Sequence, residues 1–305
     1  MAYKSRSVPM ELNLLRVLRK RMDFTHEQEK YYLNKVKGFE GEVQFDLLTE
    51  QLRSDCLILN DLCFEVNNTS FQLDTSIIFQ DTFYFFEIKN FEGDYCYRAD
   101  RFETINGKVI MNPLDQIKRS HTLLLQLLQK LGYHIAVDAS VVFVNPEFFL
   151  YQAPKDKPIY YPNHLNRLMR KLNNESSKLS EWHKSLADKL ISLHQVESAY
   201  SNVKIPTYDY KVLRKGNTCC ICHSFSCSVC NGKVICADCG HVEGVESAVL
   251  RCVEEIKLLF PGMKVTTNGV FEWFGLAVSK KQINRILIRS FSRSGHGKYS
   301  YYVDK

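Results

Sequence analysis

The chain has 305 residues, of which 45% are hydrophobic and 24% charged, with a formal net charge of +6. That is ordinary globular material for two or three domains, without repeats or low-complexity tracts. No apolar run approaches the roughly 18 residues of a membrane span. The cysteines number eleven, an odd count, and no apolar stretch lies near the N-terminus, which points away from a secreted disulfide protein and toward a reducing, cytoplasmic setting.

In chain order, residues 1–37 read as polar and helix-prone, and a helix follows from about Glu40 to Leu52, with Phe45, Leu48 and Leu52 at helical spacing. "CLILNDLCFEV" reads as a strand, and "LDTSIIFQDTFYFFEIKN" (73–90) as two more. "GDYCYRADRFETINGKVIMNP" reads as a short hairpin around Asn106–Gly107. Pro113 opens a helix that Gly132 ends, and "HIAVDASVVFVNP" is a buried strand. The order of helix, strands, helix and strand predicts a mixed α/β (α+β) domain over residues 1–155. A helical linker is expected over 156–205, broken at 173–177, then a cysteine-rich module over 215–243 and a small helical domain over 244–305.

The stretch 73–90 carries charges where a core should be. With a two-residue loop at Gln80–Asp81, paired positions put Asp74 opposite Glu87, with Lys89 two residues on along the same face. Two carboxylates that close repel unless a cation lies between them. A hard divalent ion such as Mg²⁺ or Mn²⁺ fits, held by one or two carboxylates and completed by water and phosphate oxygens. The plainer alternative is a salt bridge from Lys89 to Glu87 or Asp74 on an exposed sheet face.

The pattern "D…ExK", together with "GFEGE" (38–42), "FFEIKN" (85–90), "NG" (106–107) and "NPLDQ" (112–116), resembles the nuclease-related domain (NERD) of the PD-(D/E)xK superfamily, over roughly residues 30–150. The usual proline before the first acid is replaced by Leu73. The resemblance implies a restriction-endonuclease-like sheet flanked by helices, in a family found mostly in bacteria. It implies Asp74 and Glu87 as ligands of a catalytic Mg²⁺ or Mn²⁺, Lys89 as the catalytic lysine, Glu42 as a further acid and Gln116 as a polar group at the edge of the site.

Seven cysteines crowd into 219–239. Cys219–Cys222 and Cys236–Cys239 form two CxxC pairs with zinc-ribbon spacing, so structural Zn²⁺ bound by these four is expected, with the "NG" of the intervening segment making the ribbon turn. Cys227 and Cys230 leave a second metal open. From Phe274 to Lys305 seven basic residues face one acid, so the rest of the chain sums to zero. This bias points to an anionic partner at that end, against the alternative of a solvated basic tail. "NGVFEWF" and "KKQINRILIRSF", the latter with Ser279 as N-cap, read as a helix-turn-helix that places Lys280, Lys281, Asn284, Arg285 and Arg289 against DNA, with "SRSGHGKYSYYV" as a wing. Together these features predict a metal-dependent DNA endonuclease or DNA-processing enzyme. The alternatives are a non-cutting DNA-binding regulator or scaffold and, more distantly, a protein acting on RNA.

Overall fold

The computed structural model describes residues 1–195 and 204–305. The chain forms two compact units. One comprises Met1–Pro9 and Lys30–Lys204, the other Met10–Glu29 and Ile205–Lys305. The first helix, α1 (Met10–Arg21), belongs to the second unit, and α2 (His26–Thr49) gives most of its length to the first.

The first unit continues with strands β1 (Leu57–Val66), β2 (Thr69–Ile78), β3 (Thr82–Lys89), β4 (Gly93–Arg98), β5 (Arg101–Thr104) and β6 (Val109–Ile110). Helix α3 (Pro113–Lys130) follows, then β7 (Ala136–Phe143), β8 (Phe148–Tyr151), β9 (Ile159–Tyr160), α4 (Leu165–Asn173) and α5 (Glu181–Leu193). The main sheet has the order β1-β2-β3-β7-β9. Its first three strands are antiparallel neighbours, and β3, β7 and β9 run parallel. A second sheet has the order β6-β5-β4-β8.

Period-two alternation explains how the main sheet is covered on both faces. Phe83 and Phe85 of β3 join a core with Leu124, Leu127 and Leu128 of α3 and Leu186 and Leu190 of α5. Tyr84, Phe86 and Ile88 join the opposite core with Phe45 of α2 and Leu165, Leu168 and Leu172 of α4. The start of α3 follows local rules: Asn112 Oδ1 accepts the Leu114 N–H at 3.0 Å and Pro113 stands in the first turn. Gly132, with φ 78°, follows its end.

Three expectations are corrected. Helix α2 begins at His26, not near Glu40, because the polar residues ahead of the apolar stripe are good helix formers too. The stretch 93–113 holds two hairpins, not one; the extra turn is at Ala99–Asp100, both with positive φ (46° and 58°), a dipeptide that carries no usual turn signal. The segment expected as a linker breaks where anticipated, but α4 and α5 bury Leu168, Leu172 and Leu186 in the cores of the first unit. Its last stretch, residues 196–203, lies outside the described residues.

The second unit holds α1, strands β10 (Cys227–Cys230), β11 (Lys233–Cys236) and β12 (Val242–Gly244), and helices α6 (Val245–Leu259), α7 (Thr267–Phe274) and α8 (Lys280–Ser290). The strands β13 (Ser292–Ser294) and β14 (Tyr301–Val303) close it as an antiparallel pair. Val249, Cys252, Val253 and Ile256 of α6 pack with Trp273, Phe274, Ile283, Ile286 and Leu287. Leu14 and Leu18 of α1 and Val234 of β11 join the same core, so the cysteine-rich strands and the helices share one interior. Buried Arg21 pairs with Glu255 and lies 4.2 Å over the Trp273 ring, whose Nε1 donates to the same carboxylate at 3.3 Å. Among the described residues no helix is long and apolar enough to cross a membrane.

Candidate functional site

Strands β2 and β3 pair from Ile78↔Phe83 to Thr75↔Phe86, the register expected from a Gln80–Asp81 loop. Phe79 N donates to Thr82 O at 2.9 Å and closes that loop. Beyond Thr75 the two strands part, so the cross-strand pair expected between Asp74 and Glu87 does not form. At the first unpaired step Asp74 turns its carboxylate to the backbone of β3, and Oδ2 accepts the Ile88 N–H at 2.8 Å. The β1–β2 ladder is interrupted at the same place, between Asn60↔Thr75 and Leu62↔Leu73, where Asp61 takes φ 55°. The core alternation of β1 shifts by one residue there: Leu57 and Leu59 precede it, Leu62, Phe64 and Val66 follow, and all five share one core. The sheet is thus opened at its centre, and the two acids mark the opening.

Asp74 is 8% exposed and Glu87 7%. Lys89 Nζ donates to Glu87 Oε1 at 2.7 Å. Burial, then the charges of Glu87 and Glu42, push Asp74 well above the ordinary carboxylate range, against the pull of Lys89 and the Ile88 N–H. Burial raises Glu42 to about 7, opposed by Arg6 and reinforced by Asp61, Asp46 and Glu87. Burial alone would lower the Lys89 pKa, but the attraction of Glu87 and Asp74 outweighs it and leaves the ammonium more strongly protonated than usual.

Glu42 reaches this cluster because α2 passes very close to the end of β3. A Cβ on Gly41 would lie 2.5 Å from Asn90 Cβ and 3.2 Å from Val144 Cγ2, so only glycine permits the approach. Asn90 Nδ2 donates to Lys37 O at 2.7 Å and fastens the same crossing. That contact gives "GFEGE" and "FFEIKN" a shared physical reason.

Two residues at the site were not anticipated. Arg6 Nη1 donates to Glu42 Oε2 at 2.7 Å, and Nε and Nη2 grip Asp46 Oδ2 and Oδ1 at 2.8 and 3.1 Å. Nη2 also reaches Asp74 O at 2.7 Å and Thr75 Oγ1 at 3.2 Å. Asp46 stands one helical turn after Glu42, so spacing could have found it. Nothing local signals Arg6; it arrives because Lys4 bridges in parallel to Leu59 at the edge of β1. Gln116, in contrast, makes no side-chain hydrogen bond to the acids among the described residues. Its backbone N–H donates to Asn112 O at 3.4 Å.

The donor set fits a hard divalent ion. Glu42, Asp46, Asp74 and Glu87, when ionised, carry four negative charges against Arg6 and Lys89, leaving −2. Among the described residues Asp74 Oδ1 and Glu87 Oε2 accept no hydrogen bond. The three acids Glu42, Asp74 and Glu87 do not gather within 4.8 Å, so two of them with water or substrate oxygens would complete a shell, the habit of Mg²⁺.

In the second unit, Cys219, Cys222, Cys236 and Cys239 bring their sulfurs within 4.8 Å of one another, a quartet suited to zinc. Burial opposes ionisation of Cys219, but N–H groups of Cys222 and Ile221 and neighbouring thiols outweigh it and lower its pKa to about 6. Asn231 and Gly232 (φ 49° and 74°) make the turn between β10 and β11, and Gly240 takes φ 72° after the second knuckle. Cys227 and Cys230 lie at the two ends of β10, outside the quartet.

Helix α8 presents Lys280, Lys281, Arg285 and Arg289 as exposed residues. Its N-cap Ser279 Oγ accepts the Gln282 N–H at 3.2 Å. A cavity of about 400 Å³ is lined by Gly232 of the β10–β11 turn together with Lys281, Gln282, Arg285 and Arg289. Asn284 departs from the expected basic face: its Oδ1 accepts from Tyr302 OH at 2.5 Å and Thr267 Oγ1 at 3.3 Å, tying α8 to β14 and α7.

Residues 37–144 match the family model of the nuclease-related domain. No curated protein and no solved structure matches the chain.

Proposed function

With a nuclease-related domain over residues 37–144, we propose that the protein hydrolyses phosphodiester bonds of DNA in a reaction that depends on Mg²⁺ or Mn²⁺. One observation carries the reading: Asp74 and Glu87 stand where β2 and β3 part, with Lys89 Nζ 2.7 Å from Glu87. Asp74 and Glu87 would hold the ion, which supplies Lewis-acid stabilisation of the phosphate and acidifies water. Lys89 donates to a phosphate oxygen or orients the attacking water, its charge secured by the two acids. The Ile88 N–H fixes the Asp74 carboxylate in the opening. Glu42, held by Arg6, adds negative charge beside the ion.

In the second unit the cysteine quartet would bind structural zinc, and Lys280, Lys281, Arg285 and Arg289 would meet the phosphate backbone of DNA, in keeping with their exposure on α8. The test is cleavage of plasmid DNA by zinc-loaded protein with Mg²⁺ or Mn²⁺. Asp74→Ala and Lys89→Ala are expected to abolish cutting while DNA retention survives. Equal nicking by wild type and both variants would overturn the assignment. A second reading, a DNA-binding regulator that does not cut, draws on the spread of the three acids beyond 4.8 Å; binding without any cleavage would select it.

A further inference from the structure

We propose that Arg6 is a built-in counter-cation that restricts the acidic site to a single divalent ion. The inference rests on the reading of Asp74 and Glu87 as that ion's ligands. The Arg6 side chain is 3% exposed and is bonded to Glu42, Asp46, the Asp74 carbonyl and Thr75 Oγ1. Glu42 and Asp46, four residues apart, share one side of α2. Without Arg6 they would be a second pair of half-buried carboxylates beside Asp74, a donor set that itself attracts a hard cation. The guanidinium takes that place. Its planar fork grips Asp46 through two nitrogens, a geometry that lysine cannot reproduce.

The charge balance points the same way. With all four carboxylates ionised, as a bound cation would hold them, Arg6 and Lys89 leave −2, which one divalent ion neutralises; a second would leave the cluster at +2. Lys4 and Asp61, which lie farther along the same edge, add one charge of each sign. Arg6 is held there by backbone: Tyr3 N and Lys4 N donate to Ile58 O at 2.8 and 3.1 Å, and Asn60 N donates to Lys4 O at 3.0 Å. The guanidinium is therefore a positioning residue for Glu42 as well as a fixed charge.

The experiment is a Mn²⁺ titration of the zinc-loaded full-length protein, with free Mn²⁺ followed by electron paramagnetic resonance and heats by calorimetry. Wild type is expected to bind one Mn²⁺, lost in Asp74→Ala. Arg6→Met, its fold verified by circular dichroism, is expected to bind two, the second disappearing when Asp46→Asn is added. Arg6→Lys, which keeps the charge, is expected to stay at one. Two ions in wild type or in Arg6→Lys overturn the proposal even if Arg6→Met does not fold, and so does a folded Arg6→Met that binds only one. No Mn²⁺ bound by wild type overturns the ligand assignment of Asp74 and Glu87 itself, and the inference with it.

Discussion

Asp74 Oδ2 accepts the Ile88 N–H at 2.8 Å, so a side chain replaces a ladder bond at the step where β2 leaves β3. The same carboxylate therefore has a structural task and a proposed chemical one, and two substitutions separate them. Asp74→Asn keeps an oxygen for Ile88 and is expected to fold normally while losing cleavage by roughly a hundredfold or more. Asp74→Ala leaves a buried N–H without its partner and is expected to cost about 1–3 kcal/mol in addition. Urea denaturation beside plasmid cleavage reads both; equal stability loss in the two variants would show that the Ile88 bond does not matter.

Gly41→Ala tests the helix crossing. The added methyl would lie 2.5 Å from Asn90 Cβ, backed by Val144, so α2 must move away from β3. The expected loss is about 1–3 kcal/mol of stability, the usual range for overpacking. Cleavage is expected to fall as Glu42 is drawn away from Glu87. Gly38→Ala is the control, since nothing lies within 4 Å of the methyl it would add.

Zinc content separates the quartet from its neighbours. Cys219→Ser or Cys236→Ser is expected to lose the metal and to open 217–245 to proteolysis, whereas Cys227→Ser and Cys230→Ser keep it. Elemental analysis with limited proteolysis decides. Because Val234 shares the core of α6, α7 and α8, chelation is also expected to lower the melting temperature of the whole second unit.

Salt dependence tests α8. Lys281→Ala combined with Arg285→Ala is expected to reduce the slope of log affinity for duplex DNA against log salt by about 2, near one for each phosphate left without its cation. Asn284→Ala is expected to leave that slope unchanged and to lower stability, because Tyr302 and Thr267 lose their acceptor. An altered slope in Asn284→Ala with unaltered stability would reverse its assignment.

The parts legible in the sequence were those governed by short-range rules. Loop closure at Gln80–Asp81 gave the β2–β3 register, and CxxC spacing gave the cysteine quartet. Pro113 gave the start of α3 and the Ser279 cap that of α8. What escaped was set by partners distant in sequence. Arg6 acts on residues 36 to 69 positions away, with no periodicity to reveal it. Asn284 falls on the polar side of α8 by helical spacing, yet a tyrosine from β14 captures it. The shift of alternation in β1 falls at Asp61, whose positive φ no glycine announces.

The placement of Arg6 bears on how this protein can be dissected. A fragment cut to the matched span, residues 37–144, would retain Glu42, Asp46, Asp74, Glu87 and Lys89 but discard the guanidinium that joins three of them. It would also lose Leu168, Leu172 and Leu186, which cover both faces of the sheet. Such a fragment is expected to be both less stable and one positive charge short at its centre. The span recognisable by family resemblance is therefore smaller than the compact unit that contains it, and the first nine residues belong to that unit along with the motif.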